Sequence, residues 1–133
     1  MATVREDGWP QATVVSFVNE NLDLYFGTAP HSQKIENISR DPRVSATVTP
    51  EHETSKNIQA LSLAALAEQV SDPVELLNVA DLVLKKFPRP GLPARASVLD
   101  GVVVRLRPTI ISLLDYSQSF GQTNLIELDG SQA

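Results

Sequence analysis

The chain has 133 residues, the length of one ordinary domain, and 42% of them are hydrophobic, which is enough for a core and too apolar for disorder. A net charge of −5 argues against nucleic-acid binding, the absence of cysteine excludes disulfides and thiolate metal sites, and two histidines are too few for a histidine-rich metal site. No apolar run approaches the roughly 20 residues of a membrane span, and charged residues at 5–7 interrupt the place of a signal peptide, so we expect a soluble cytoplasmic protein.

The first part of the chain is predicted to form strands. Residues 2–6 alternate in polarity, Asp7-Gly8 makes a tight turn, and a second strand follows over residues 11–18. After a further turn, residues 22–27 form a third strand. Three strands in an antiparallel meander are the simplest interpretation.

The middle of the chain mixes helix and strand signals. A short helix over residues 35–40 is stopped by Asp41-Pro42, and residues 43–49 form another strand. Residues 58–70 favour a helix by composition, yet also fit the alternation of a strand, so both remain open. A helix over residues 73–87 begins with a capping box, in which Asp72 is the N-cap and Glu75 the reciprocal partner. Its apolar stripe comprises Leu76, Leu77, Ala80, Val83, Leu84 and Phe87.

The last part of the chain returns to strands. Residues 98–114 are rich in Val and Ile and are expected to bend at Pro108, and residues 124–128 form a short final strand. Arg105 alternates with apolar neighbours and is predicted to lie on a solvent or interface face, with a second anion site as the weaker alternative. The fold class is therefore mainly β: a single domain over residues 1–133 with six or seven mostly antiparallel strands, closed as a barrel, and two or three helices.

The most informative segment is the turn between the strand at 22–27 and the helix at 35–40. It carries Thr28, Ser32 and Lys34. Free N–H groups at a helix start favour anions, and no acidic residue precedes Glu36 there. These residues therefore predict a phosphate site, although Ser32 also fits a plain N-cap and Lys34 alone fits a solvated surface lysine.

No enzymatic motif stands out elsewhere. The chain has no nucleophile elbow, no P-loop and no dinucleotide-binding glycine pattern, and its acidic residues are scattered. If the protein is an enzyme, a cofactor is expected to carry the chemistry.

The order of several short motifs resembles the pyridoxamine 5′-phosphate oxidase-like flavoproteins. The resemblance lies in residues 24–28 (Leu-Tyr-Phe-Gly-Thr), 32–34 (Ser-Gln-Lys), Asn37 and 40–44 (Arg-Asp-Pro-Arg-Val). It extends back to residues 10–16 and forward to residues 111–116 and Phe120-Gly121. This resemblance implies a split β-barrel that binds FMN across a homodimer interface, and a flavin that exchanges hydride with a small organic substrate or a nicotinamide.

The resemblance also implies roles for individual residues. Thr13, Val14, Val15 and Ser16 would line the isoalloxazine ring, and Phe26, Gly27 and Thr28 would form the next strand end beside it. Ser32, Gln33 and Lys34 would hold the phosphate, and Asn37 stands one helical turn further on. Gln59 would reach FMN from the partner subunit. No residue is assigned a catalytic role.

The chain departs from the pattern of the true oxidase. Thr13 and Gln33 stand where the oxidase has arginines for the phosphate. The C-terminal substrate segment, with its arginine and histidine, and the N-terminal helix of the family are also not found. We therefore expect an FMN-dependent oxidoreductase with an unknown small substrate, and not a true pyridoxamine phosphate oxidase.

Three alternatives keep the same fold. The cofactor F420 has a long anionic tail and would need more basic residues near the site than this acidic chain offers. Haem would need an axial ligand, for which His31 and His52 are the only histidines. The third alternative is a flavin-binding module without enzymatic activity.

Overall fold

The computed structural model describes residues 1–50, 59–88, 100–117, 119 and 121–128. Within these ranges a mainly antiparallel sheet is accompanied by two helices. The strands are β1 (Ala2–Val4), β2 (Pro10–Ala12), β3 (Val18–Glu20), β4 (Asp23–Thr28), β5 (Arg43–Val48), β6 (Gln59–Gln69), β7 (Val102–Asp115) and β8 (Thr123–Glu127), and the helices are α1 (Gln33–Arg40) and α2 (Pro73–Lys86). Neither helix is long and apolar enough to cross a membrane.

The long strand β7 organises the sheet. The strand order is β2-β1-β5-β6-β7-β4-β3, and every pairing is antiparallel. One edge of β7 pairs with β6 along most of its length. The other edge pairs with β4 through its first half and with β8 through its second half.

The connection between β2 and β3 shows that the sheet is curled. These strands lie at opposite ends of the strand order, six strand spacings apart, which is about 29 Å in a flat sheet. Only residues 13–17 join them, and that length of chain reaches about 22 Å when fully extended. The two edges must therefore approach each other, as in the split barrel predicted from the sequence.

The same connection corrects two predictions. Residues 11–18 do not form one strand, because the chain leaves the sheet after Ala12 and re-enters it at Val18. The three-strand meander is also wrong, since the hairpins β1–β2 and β3–β4 occupy opposite edges. Residues 13–17 span the split between the edges instead of pairing within the sheet.

Alternate residues of the sheet pack into two separate cores. On the inner face, Phe26 and its cross-strand neighbour Val104 pack with α1 and with buried residues of β5 and β6. On the outer face, Tyr25 and Val103 pack with Val79 of α2. The pleat therefore places α1 and α2 against opposite faces of β4.

The structure settles the ambiguity of residues 58–70, since Gln59–Gln69 form strand β6. Its inward residues Leu63, Ala65 and Ala67 are buried, as alternation requires. The predicted irregularity at Pro108 is confirmed by a register shift, because Ala64 pairs with Ile110 while Ala65 pairs with Pro108. Tertiary pairing thus outweighs the helical propensity of this alanine-rich segment.

Helix α2 differs from its prediction in two ways. Asp72 accepts a hydrogen bond from the Glu75 N–H, so the N-cap is confirmed, but the Glu75 side chain binds Tyr25 and Arg105 rather than returning to the cap. The buried face is centred on Val79 and Ala80, whereas Leu77 of the predicted stripe is exposed. The apolar stripe is rotated toward Val79 because α2 packs against β3 and β4.

Candidate functional site

A cleft of about 990 Å³ opens between residues 14–17, the end of β4 and the C-terminal end of α2. It is lined by residues 14–18 and 25–29, by Lys34, by Val79, Val83 and residues 86–88, and by Asp100, Gly101 and Val103. This volume suits a cofactor-sized ligand, and the wall combines apolar side chains with a comparable amount of polar surface. Three of these lining residues are charged: Lys34, Lys86 and Asp100.

One end of the cleft carries a cluster of a lysine and two hydroxyls. Lys34 Nζ donates to Thr28 Oγ1 at 3.2 Å, and the Thr28 and Ser32 hydroxyls are 3.1 Å apart. Ser32 occupies the N-cap position of α1, but its side chain makes no capping hydrogen bond. The hydroxyl is directed to Thr28 instead, so it remains near the ammonium group of Lys34.

The start of α1 adds backbone donors to this cluster. The Ser32 carbonyl accepts from the Ile35 and Glu36 N–H groups, and the preceding N–H groups of Gln33 and Lys34 have no acceptor among the described residues. Unpaired N–H groups at a helix start, an ammonium group and hydroxyls are the donors that bind a phosphate. This end of the cleft is therefore chemically suited to a phosphate.

The twelve candidate site residues predicted from the sequence divide into those that line or contact the cleft and those that do not. Seven of them line the cleft, namely Val14, Val15, Ser16, Phe26, Gly27, Thr28 and Lys34. Ser32 contacts the cleft through its hydrogen bond with Thr28. The remaining four, Thr13, Gln33, Asn37 and Gln59, do not line it.

Asn37 does not line the cleft and is fully buried between α1 and the strands β1 and β2. Its Nδ2 donates to Thr3 Oγ1 at 2.9 Å and to Gln11 Oε1 at 3.0 Å. Its Oδ1 accepts from Gln33 Nε2 and Arg40 Nη2, each at 3.0 Å. The side chain thus joins α1 to β1 and β2 and has its donors and acceptor engaged within the protein.

The other three lie at different places. Thr13 donates its N–H to the Met1 carbonyl beside β1, which leaves it next to, but not in, the cleft wall. Gln33 is directed to Asn37. Gln59 starts β6, where its amide lies 3.4 Å from the Asp115 carboxylate at the far end of the β6–β7 ladder. Contact between Gln59 and a cofactor would therefore require a second subunit, as the resemblance implied.

Sequence reasoning missed the contribution of α2. Lys86 lines the cleft, where its Nζ donates to the Phe17 carbonyl at 2.9 Å and lies 4.2 Å from the centre of the Phe17 ring. The sequence predicts that Lys86 lies at the end of a helix, but no pattern of neighbouring residues predicts that this helix end packs beside residues 13–17. The position of Gly101 beside Thr28 depends in the same way on the pairing of β4 with β7.

A polar network ties α2 to the sheet behind the cleft. Tyr25, Arg105 and Glu68 are cross-strand neighbours on β4, β7 and β6. Glu75 of α2 accepts from the Tyr25 hydroxyl at 3.0 Å and from Arg105 Nη1 at 2.9 Å, and Arg105 Nη2 lies 2.8 Å from Glu68. Arg105 is thus on the outer face, as alternation predicted, but covered by α2.

Burial and the hydrogen bond to Glu75 raise the pKa of Tyr25 to about 12. The phenol is therefore a neutral donor throughout the physiological range. Because its pKa in the unfolded chain is about 10, its contribution to stability is complete below pH 10 and is lost as the pH rises to 12. The network is structural in character and holds the α2 wall of the cleft against β4.

Gly101 approaches the cleft strand so closely that a side chain would not fit. A Cβ at this position would lie 2.7 Å from the Thr28 carbonyl oxygen, whereas a Cβ at Gly27 would meet nothing within 4 Å. We expect Gly101→Ala to lower the free energy of unfolding by about 1–3 kcal/mol, the usual cost of overpacking. Urea denaturation checks this, and Gly27→Ala is the matched control; equal losses in both variants would contradict the close contact.

Comparison with known proteins places these features in a family. The sequence model of the family described as pyridoxamine 5′-phosphate oxidase matches residues 1–114. No curated protein matches the chain in a sequence search.

Solved structures give the same architecture with different descriptions. A conserved hypothetical protein from Mycobacterium tuberculosis is 26% identical, with a TM-score of 0.75 over 99% of this chain and 84% of that one. A protein described as an F420 reductase is 29% identical, with a TM-score of 0.63 over 84% of this chain and 85% of that one. A heme binding protein from Mycobacterium smegmatis shares the fold. It is 19% identical, with a TM-score of 0.70 over 95% of this chain and 50% of that one.

Proposed function

Because the chain belongs to the pyridoxamine 5′-phosphate oxidase family, we propose that it is an FMN-binding flavoprotein and an FMN-dependent oxidoreductase that acts on a small substrate. The observation that carries the proposal is the cluster of Lys34, Thr28 and Ser32 at one end of a cofactor-sized cleft. When bound, FMN supplies hydride exchange at the flavin N5 position.

The residues present fit FMN in both of its parts. Lys34 would pair with the phosphate, and Thr28 and Ser32 would donate their hydroxyl hydrogens to it. The unpaired N–H groups of Gln33 and Lys34 would bind the remaining oxygens. Residues 14–16 and 26–27 would line the ring.

The donor set differs from that of the true oxidase and supports a different substrate. Thr13 stands at one of the two positions where the oxidase has an arginine. Its N–H donates to the Met1 carbonyl, and the residue does not line the cleft. At the other arginine position, Gln33 donates its amide hydrogen to Asn37 and points away from the phosphate end. A single lysine would then supply the charge for the phosphate, and pyridoxamine phosphate oxidation is not proposed.

Titration of the purified protein with FMN tests the proposal. We expect FMN to bind with quenching of flavin fluorescence, and the bound flavin to be reduced by at least one donor in a screen of nicotinamides and small organic substrates. Protein that remains colourless and has no affinity for added FMN would overturn it. FMN bound without turnover over the whole screen would favour the flavin-binding module instead.

F420 is the second candidate cofactor, and a specific observation favours it. A protein described as an F420 reductase is 29% identical over 84% of this chain. Competition between F420 and FMN, followed by their absorption spectra, separates the two cofactors. Haem has less support from the described residues, because no histidine among them, His31 included, lines the cleft. His52 lies outside the described residues.

We further propose that the protein is a homodimer. Strand β8 and the second half of β7 form one edge region of the sheet, with exposed apolar residues on both faces: Ile110 and Leu125 on one, Leu113 and Ile126 on the other. Apolar surface on two faces is rarely left in water, and a two-fold symmetric contact would cover it in both copies at once.

Leu125→Asp is expected to convert the dimer to monomer at micromolar concentration, because the new carboxylate would be buried without a partner. Sedimentation velocity measures the change. Val74→Asp is the matched control, since Val74 is equally apolar and 74% exposed, but lies at the start of α2. A dimer that survives Leu125→Asp, or that Val74→Asp dissociates as readily, would contradict this interface.

A further inference from the structure

Lys86 is a second cation in the cleft, and the phosphate cluster does not involve it. Its Nζ is held at the cleft wall by the Phe17 carbonyl at 2.9 Å and by the face of the Phe17 ring at 4.2 Å. An ammonium group has three N–H donors, so this arrangement leaves donors available for a ligand. No carboxylate of the described residues lies within salt-bridge distance of Lys86.

The two lysines lie at different places along the cleft. Lys34 is anchored at Thr28, the last residue of β4, whereas Lys86 is anchored at Phe17, next to Val18, which pairs with Tyr25. Tyr25 and Thr28 are three residues apart, so the anchors are separated by roughly 7–10 Å along the strand. The two ammonium groups are therefore anchored at different points along the cleft wall.

The charge distribution strengthens the contrast between the two ends. Asp100, the one acidic residue among the described cleft residues, precedes Gly101, which contacts Thr28 at the Lys34 end. Among the described residues, the Lys86 end of the wall therefore has a cation without a nearby acidic residue. A lysine in the last turn of α2 interacts favourably with the helix dipole, and this applies equally to Lys85 and Lys86. The dipole therefore does not explain why Lys86 lines the cleft while Lys85 does not.

Building on the proposed function, we propose that Lys86 is the second anion-binding residue of this cleft, so that its complete ligand set carries two separate anionic groups. One is the cofactor phosphate at Lys34. The other is a carboxylate or phosphate at Lys86, which belongs either to an extended cofactor, such as the tail of F420, or to an anionic substrate bound beside FMN. Both sources present the same chemistry to the ammonium group.

A first experiment tests the anion site without any flavin. The chain has four lysines, so selective ¹³Cε labelling gives four lysine signals that can be assigned with single Lys→Gln variants. On titration of the cofactor-free protein with inorganic phosphate, we expect saturable shifts for Lys34 and Lys86 and only a small linear salt response for Lys85. If the Lys86 signal shows only the small linear response expected for Lys85, the proposal is overturned. This outcome does not depend on whether FMN binds.

A second experiment identifies the source of the second anion with Lys86→Gln, and with Lys85→Gln as the matched control. If the source is the cofactor tail, Lys86→Gln weakens F420 binding about tenfold and changes FMN binding less than twofold. If the source is the substrate, FMN binding is unchanged and the Kd of NADPH for the FMN-loaded protein rises about tenfold. Lys86→Arg should restore most of either loss. Equal affinities of Lys86→Gln and Lys85→Gln for F420, FMN and NADPH would overturn the proposal.

Discussion

Lys34→Ala is expected to weaken FMN binding about 10- to 100-fold while changing riboflavin binding less than twofold. The reason is that charge-assisted hydrogen bonds contribute about 1.5–3 kcal/mol, and riboflavin lacks the phosphate that would receive them. Lys34 Nζ reaches the cleft through its contact with Thr28, so its removal takes away the cation that the described residues place at that end. Fluorescence titration with both flavins measures the two affinities.

The comparison between the two flavins makes this prediction specific. Lys85→Ala removes the same charge from an exposed position outside the cleft and should leave both affinities unchanged. If Lys34→Ala weakened riboflavin and FMN equally, the lysine would be shaping the cleft as a whole, and its assignment to the phosphate would be wrong. Replacement by arginine should retain most of the FMN affinity, because the charge remains.

Asn37→Ala is expected to lower the free energy of unfolding by about 2–4 kcal/mol and the Tm by roughly 10 °C. The substitution leaves two largely buried partners, Thr3 and Gln11, without their donor and removes the acceptor of Gln33 and Arg40. Buried polar groups that lose their partners bear the full cost of desolvation. Calorimetry measures the effect.

Gln33→Ala is the control for this variant, because Gln33 is exposed and makes one hydrogen bond of the same network. Its Tm should fall by less than about 3 °C. FMN affinity distinguishes the buried structural role of Asn37 from the cofactor contact that the family resemblance implied. At a temperature where Asn37→Ala remains folded, a loss of FMN affinity as large as that of Lys34→Ala would show that Asn37 acts at the phosphate.

Local sequence patterns predicted those parts of the fold that depend on neighbours in the chain. Strand β5, helix α1, the Asp72 cap and the irregularity at Pro108 all follow from residues a few positions apart. The grouping of Thr28, Ser32 and Lys34 follows for the same reason, because the three residues lie within one short segment. The family resemblance added the pairing of this turn with residues 14–16.

The errors occurred where distant segments meet. Hairpin rules place successive strands side by side, so they could not reveal that residues 13–17 cross from one sheet edge to the other. Lys86 and Gly101 reach the cleft only through the packing of α2 and the pairing of β7 with β4. The hydrogen bonds of Asn37 to Thr3 and Gln11 likewise join distant segments, and its spacing from Lys34 does not reveal them.

The position of β7 late in the chain has a consequence for synthesis. Val102, the partner of Thr28, lies 74 positions further along the sequence. At roughly 5–20 residues per second, about 4–15 s pass between the translation of β4 and that of its partner strand. The nascent β4 therefore waits with one edge unpaired until β7 has left the ribosome. Any binding of flavin should follow the completion of the sheet.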